Sequence, residues 1–261
     1  MYRAAIAYTL FLILATFSFV IFGSINTAAQ GEKDNLKEVK DLNWRAIVKV
    51  GEKQYPEAID LLKRAVEFQP SFAVAHMNLG TTYLLSGQPE TALGHVKRGI
   101  ELDPKAHEAF NQLGVVYDKL GRPDLAIDNF KKAIELQPDY ALAYFNLGTI
   151  YLWSNKLKLA ASVLQTAAKL DPANDEIRLY LGVLYAKQNH FAEAVAEVKP
   201  VTQRRPDDDS ANLTLCKIYL LANDRQSALD MYQAFKVVNI PLAEQMFKSI
   251  FSDKVLYVSK E

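Results

Sequence analysis

Residues 107–140 read HEAFNQLGVVYDKLGRPDLAIDNFKKAIELQPDY, and residues 141–174 read ALAYFNLGTIYLWSNKLKLAASVLQTAAKLDPAN. The two blocks are equal in length, and the same residue types stand at the same places in each. The corresponding pairs are Phe110 and Tyr144, Leu113 and Leu147, Gly114 and Gly148, Tyr117 and Tyr151, Ala126 and Ala160, Phe130 and Leu164, Ala133 and Ala167, and Pro138 and Pro172. A pattern that returns at a fixed period predicts a repeat architecture.

Each block predicts a hairpin of two helices. Phe110, Leu113 and Tyr117 are spaced three and four residues apart, which places them on one face of a first helix. Gly121 then supplies the left-handed backbone that closes a helix, and the second helix has its own inward stripe at Ala126, Phe130 and Ala133. One such hairpin cannot bury both of its faces, so it requires copies stacked on either side.

These blocks resemble the tetratricopeptide repeat, whose pattern combines a large apolar residue, Leu-Gly, Tyr, Gly, Ala, an aromatic residue, Ala and Pro in a fixed order and spacing. Extending the register in both directions gives six units: 39–72, 73–106, 107–140, 141–174, 175–208 and 209–242. The resemblance implies an all-α, right-handed superhelical solenoid of about six helical hairpins, with a C-terminal closing helix.

The outermost units depart from the pattern. In the first unit Arg45 replaces the usual leucine and Lys49 the usual tyrosine, as expected for a capping repeat with one unpaired face. In the last unit Cys216 stands where glycine is usual, and the proline comes one place late, at Pro241. We interpret Cys216, the single cysteine of the chain, as a packing residue.

Composition argues against nucleic acid and against catalysis. The chain has 30 basic and 30 acidic side chains, so it lacks the strongly basic surface of a nucleic-acid-binding protein. The four histidines fall in different units, and neither a phosphate-binding loop nor a metal-ligand motif is found in the sequence. We therefore expect no catalytic residues, no metal and no cofactor, and we predict that the protein is not an enzyme.

The N-terminal residues 1–29 predict export. Arg3 precedes an acid-free run from Ala4 to Phe22, and small residues follow at 27–29, which is the order of a secretory signal. Cleavage after Ala29 would leave the repeats periplasmic or secreted. An uncleaved membrane anchor is the alternative, because the apolar run approaches the roughly 20 residues that cross a bilayer. A buried cytosolic helix is a third interpretation.

The segments that flank the repeats are short. Residues 30–38 are polar and predict a tether into the first repeat. Residues 243–261 predict a closing helix and a tail, with Leu242, Met246, Phe247, Ile250 and Phe251 at helical spacing. The alternative is that this tail folds back into the groove and competes with a partner.

In proteins that this chain resembles, the first helices line a concave groove that holds partner peptides. The repeat register then predicts the following groove residues in this chain: Met77, Asn78, Leu85, Asn111, Gln112, Phe145, Asn146 and Trp153. Asn78, Gln112 and Asn146 form a row of amides able to bind an extended peptide backbone. Met77, Phe145 and Trp153, together with Leu84 and Leu152, predict an apolar patch, although some of these side chains could instead pack between repeats.

We therefore predict a non-catalytic adaptor that holds a peptide or amphipathic segment of a partner protein on the exported side of a membrane. The alternative is a structural or assembly component of an envelope machine, of the pilus or secretion type, that acts through self-association or its convex face.

Overall fold

The computed structural model describes residues 30–251, with side chains described from Leu36 onward, and its regular secondary structure there is all α-helix, joined by short turns. Its thirteen described helices are α1 Gln30–Gly51, α2 Tyr55–Phe68, α3 Ala73–Leu85, α4 Pro89–Leu102, α5 His107–Lys119, α6 Pro123–Leu136, α7 Ala141–Trp153, α8 Leu157–Leu170, α9 Asp175–Lys187, α10 Phe191–Arg204, α11 Asp209–Leu221, α12 Arg225–Val238 and α13 Ile240–Phe251. The predicted all-α fold of consecutive helical hairpins is therefore confirmed.

The chain divides into two compact units, whose described residues are 30–143 and 144–251. In the N-terminal unit the helices pair as α1 with α2, α3 with α4 and α5 with α6, and each hairpin packs on the next. In the C-terminal unit α9 pairs with α10, and α11 packs on α10, α12 and α13. Within each unit the hairpins follow one another in sequence order.

A left-handed residue closes the turn of every hairpin at the same repeat position. The described residues with positive φ are Lys53, Gly87, Gly121, Asn155, Asn189 and Asn223, each one repeat length after the one before. Glycine and asparagine adopt this conformation most readily, which explains five of the six. The backbone thus repeats with the period read from the sequence.

The two helices of a hairpin approach closely at a glycine of the first helix. A Cβ atom added at Gly114 would lie 2.5 Å from a ring carbon of Phe130, whose side chain is fully buried. Gly80, Gly148 and Gly182 make the same approach to the residue sixteen positions later, which is Val96, Leu164 and Val198 respectively. The repeated glycine therefore fixes the distance between paired helices.

The predicted tether at 30–38 is the first part of helix α1 and not a separate linker. This stretch has no proline, and after Gly31 it is rich in Glu, Lys and Leu, which favour helix. From Val39 the helix buries an apolar stripe that includes Leu42 and Ala46. A polar sequence therefore extends the first helix of the first hairpin toward the N-terminus.

The end of the repeats differs from the predicted boundary. Helix α12 ends at Val238, and Pro241 lies in the first turn of α13, where a missing N–H is tolerated. The side chain of Asn239 caps this helix, because its Oδ1 accepts a hydrogen bond from the Leu242 N–H at 3.1 Å. The closing helix therefore begins at Ile240, three residues before residue 243.

The predicted signal peptide or anchor at 1–29 and the final residues of the tail lie outside the described residues. Within residues 30–251, none of the helices combines the length and the apolar character needed to span a membrane.

Candidate partner-binding surfaces

The predicted apolar contact Met77 belongs to the interior of the N-terminal unit. Its side chain is 2 % exposed and packs with Ala106 and Ala109. A Cβ atom added at Gly99 of α4 would lie 2.5 Å from its Cγ. Leu84 is also buried, whereas Leu85 is half-buried at the end of α3. The expectation that Met77 is exposed is therefore wrong, because the absence of a side chain at Gly99 lets α4 close over it.

The predicted amide Asn78 is engaged within the unit. Its Nδ2 donates a hydrogen bond of 2.8 Å to Oδ1 of Asn43 on α1, and both side chains are buried. The backbone carbonyl of Asn78 also accepts a 2.7 Å hydrogen bond from the hydroxyl of Thr82. The Asn43–Asn78 contact therefore joins the first helices of two successive hairpins.

Gln112 has a buried side-chain amide that makes no hydrogen bond. It is 1 % exposed, and neither Nε2 nor Oε1 has a hydrogen-bond partner. Oδ1 of Asn78 likewise accepts no hydrogen bond. A buried polar group without a partner costs about 1–3 kcal/mol, so these atoms are ready to accept and donate hydrogen bonds. The adjacent Asn111 is fully buried.

Four side chains of α7 and α9 form an aromatic cluster in the C-terminal unit. We define this cluster as Phe145, Trp153, Tyr180 and Lys187. The ring of Phe145 meets that of Tyr180 edge-on, with centroids 5.0 Å apart, and Trp153 does the same at 6.5 Å. Lys187 places its Nζ 5.8 Å from the centroid of the Trp153 ring, within the range of a cation–π contact.

The cluster has a buried base and an accessible rim. Phe145 is 4 % exposed, so it supports Tyr180 from within, and the expectation that it is an exposed contact is wrong. Trp153, Tyr180, Lys187 and the predicted groove residue Asn146 are half-buried. Leu152, next to Trp153 in the chain, is fully buried.

The indole N–H of Trp153 is the one polar atom of this cluster that is shielded from solvent and lacks a hydrogen-bond partner in the described structure. Indole nitrogen can only donate, so it requires an acceptor such as a carbonyl or carboxylate oxygen. The cluster therefore combines a partly exposed aromatic surface and a positive charge with an unused donor that lies beneath that surface.

Three sequence models of the tetratricopeptide repeat match this chain, at residues 107–140, at 49–113 and 154–211, and at 129–160. Together they span residues 49–211 without a gap, which is more than half of the 261 residues. The chain belongs to the tetratricopeptide repeat family. Comparison with curated proteins finds no match.

Solved structures of tetratricopeptide repeat proteins resemble this chain. PilF of Pseudomonas aeruginosa matches with a TM-score of 0.71 at 18% identity, over 83% of this chain and 99% of PilF. YrrB, described as a TPR protein with an unusual peptide-binding site, matches with a TM-score of 0.56 at 26% identity, over 72% of this chain and 97% of YrrB. Cut9, from the Cut9–Hcn1 structure, matches with a TM-score of 0.72 at 15% identity, over 94% of this chain and 46% of that one. PilF and Cut9 show the shared fold alone.

The repeat register predicts that Tyr180 and Lys187 face the groove, although the partner-binding residues predicted above do not include them. The repeat register contains the signal that finds them, because Lys187 is the counterpart of Trp153 and Tyr180 the counterpart of Asn146, each one repeat later. First helices of adjacent tetratricopeptide repeats pack side by side, so equivalent positions lie close together.

His76, His95 and Cys216 pack against neighbouring side chains of this tetratricopeptide repeat protein. His76 and His95 stack with ring centroids 5.8 Å apart, and Tyr83 stacks on His95 at 5.4 Å. Burial raises the pKa of the Cys216 thiol to about 11, which keeps it protonated and unreactive near neutral pH. Within residues 30–251, no three or more histidine, cysteine or acidic side chains come together as metal ligands would.

Proposed function

We propose that this protein is a non-catalytic adaptor that binds a segment of a partner protein against the aromatic cluster of its C-terminal unit. Tetratricopeptide repeats form a protein-interaction scaffold, so the family supports the general role. The observation that supports this location is the half-buried Trp153, whose indole N–H has no acceptor although it lies beside Tyr180 and Lys187.

The cluster indicates the chemistry of the partner segment. An apolar or aromatic side chain would pack on the exposed parts of Trp153 and Tyr180, as such rings are frequent anchors at interfaces. A carbonyl oxygen of the segment would accept the indole hydrogen bond once the side chains that cover this N–H move aside. An acidic side chain close to the anchor would pair with Lys187. These requirements describe an amphipathic segment, which agrees with the partner expected from the sequence.

The N-terminal unit offers a different kind of contact. Oε1 and Nε2 of Gln112 and Oδ1 of Asn78 can pair with the N–H and C=O groups of an extended backbone. A helical segment would not supply them, since its own backbone groups are already paired. Because both amides are almost fully buried, such pairing would require the covering side chains to move.

We also propose that the repeats act on the exported side of a membrane. The support for this location is the sequence of residues 1–29, with Arg3 ahead of an apolar run and small residues at 27–29. N-terminal sequencing of the protein from its natural host tests the proposal. A start at Gln30 indicates signal cleavage, a start at Met1 in a membrane fraction indicates an anchor, and a cytosolic protein contradicts export.

Photo-crosslinking in intact cells tests the binding site. The photoreactive residue benzoylphenylalanine replaces Val183, which is half-buried on α9 one turn from both Tyr180 and Lys187. The crosslinked segment, identified by mass spectrometry, should contain an apolar anchor with an acidic neighbour. Introducing Trp153→Ala into the same protein should reduce crosslinking about tenfold or more, the size expected for an aromatic anchor.

Trp44→Ala is the matched control, because Trp44 is the second tryptophan of the chain and lies exposed on α1. It should leave crosslinking from Val183 unchanged. Equal crosslinking in Trp153→Ala and the unaltered protein would contradict the proposed site, provided that both have the same helical content.

A further inference from the structure

Helix α13 has a second apolar face that stays about half exposed in the described part of the chain, where only Tyr232 and Arg225 of α12 contact its rings. Its inner face buries Leu242, Met246 and Ile250 against α11 and α12. Its outer face exposes Ile240 by 62 %, Phe247 by 47 % and Phe251 by 52 %. Among the described helices α13 is the last, and a closing helix ordinarily has a polar outer face.

The three outer side chains form a single stripe. They are spaced seven and four residues apart, so at about 100° per residue they lie within about 40° of one another around the helix. The rings of Phe247 and Phe251 touch, with centroids 4.5 Å apart, and Tyr232 of α12 contacts Phe247 at 5.8 Å. Spacings of four and seven residues are those of a helix that pairs with another helix.

Two exposed charges beside the stripe indicate which helix fits it. Glu244 and Lys248 lie one turn apart on the same side of the stripe. If a second copy of α13 packs antiparallel about a two-fold axis near residue 246, Glu244 of each copy faces Lys248 of the other. The same axis sets Ile240 against Phe251 of the second copy and brings the two Phe247 rings together. A parallel arrangement would align like charges.

We propose that the protein forms a homodimer through α13, with the two helices antiparallel about a two-fold axis. A two-fold interface uses the same patch on both copies, which this stripe allows because its sequence is complementary to itself when reversed. The inference is independent of the proposed partner site, which lies on α7 and α9. Failure of one therefore leaves the other intact, since crosslinking from Val183 reports only on the partner site.

Sedimentation equilibrium of the purified full chain in density-matched detergent tests the dimer. The unaltered chain should show a concentration-dependent equilibrium between monomer and dimer. Phe247→Glu should raise the dimer dissociation constant about tenfold or more, because it places two like charges at the axis. Phe68→Glu is the matched control: Phe68 is 46 % exposed, close to the 47 % of Phe247, but lies on α2. It should leave the dissociation constant unchanged.

A charge exchange tests the antiparallel arrangement. Glu244→Lys and Lys248→Glu should each weaken the dimer, because each makes Lys face Lys or Glu face Glu across the interface. The double variant E244K/K248E should restore the dissociation constant of the unaltered chain. A chain that stays monomeric, association that Phe247→Glu and Phe68→Glu affect equally, or a double variant as weak as the single ones would each overturn the proposal.

Discussion

Replacing Gly114 with alanine tests how closely the paired helices approach. The added Cβ would lie 2.5, 2.7 and 2.9 Å from three ring carbons of Phe130. All three distances are shorter than the 3.0 Å below which Cβ contacts essentially never occur. Phe130 is 1 % exposed, so its ring cannot swing out into solvent, and close packing of protein interiors opposes its movement inside. Overpacking of this kind costs about 1–3 kcal/mol. The substitution also gains about 1 kcal/mol, because alanine favours helix over glycine.

Gly94→Ala separates these two effects. Gly94 lies within α4, and a Cβ atom added there meets nothing within 4 Å. This variant should therefore show only the helix gain and be more stable by about 1 kcal/mol. The free energy of unfolding of the two variants should differ by the overpacking cost alone, about 1–3 kcal/mol. Urea denaturation followed by far-UV circular dichroism measures it.

Phe130→Ala supplies the second control. With the ring removed, Gly114→Ala has room and should no longer destabilise, so a double-mutant cycle should give a coupling of about 1–3 kcal/mol. If Gly114→Ala proved as stable as Gly94→Ala, or if the coupling were absent, the close approach described for the repeats would be refuted.

Three further predictions use the same urea measurement. Lys53→Gly should stabilise by about 1 kcal/mol, because within residues 30–251 Lys53 is the one left-handed residue that is neither glycine nor asparagine. Asn43→Ala should destabilise by about 1–3 kcal/mol, since it leaves the buried Nδ2 of Asn78 unpaired, whereas replacing both residues with leucine should cost less. Burial lowers the pKa of His76 below its ordinary 6.5, so the unfolded chain binds this proton first as pH falls. Stability should decrease below pH 6.5, and His76→Phe should reduce that decrease while His190→Gln, at an exposed site, should not.

These predictions fail in distinguishable ways. An unchanged or lowered stability of Lys53→Gly would contradict the left-handed turn at that residue. A double leucine variant less stable than Asn43→Ala would contradict the role of the amide pair as a polar contact between helices. An acid-induced loss of stability that is the same with and without His76 would assign the effect to other groups.

The sequence period predicts the fold because each structural requirement recurs. The left-handed turn at Gly121 and the glycine at 114 are set by local backbone geometry and by one neighbouring helix, and both are visible in a single repeat block. The extension of α1 through 30–38 is harder to predict, because a polar stretch is typical of a linker even where its residues favour helix.

The site is less predictable because exposure depends on residues from several repeats. Met77 and Phe145 occupy positions that face outward in a single hairpin, but in this chain they are buried. Met77 packs into space left by Gly99, and Phe145 lies under Tyr180 of the next repeat. Trp153 is predicted from the sequence because it is a large aromatic residue at a first-helix end, and its side chain is partly exposed, whereas its role in binding stays a prediction.

The indole N–H signal of Trp153 offers the most direct test of the proposed partner site. A ¹⁵N-labelled sample should give two indole signals, one from Trp153 and one from Trp44, since the chain has two tryptophans. A synthetic peptide with the sequence captured by crosslinking from Val183 should shift the Trp153 signal and slow its hydrogen exchange, because a carbonyl or carboxylate oxygen would then accept its hydrogen bond. The Trp44 signal should stay in place. Binding of that peptide with the Trp153 signal unmoved would contradict the central claim.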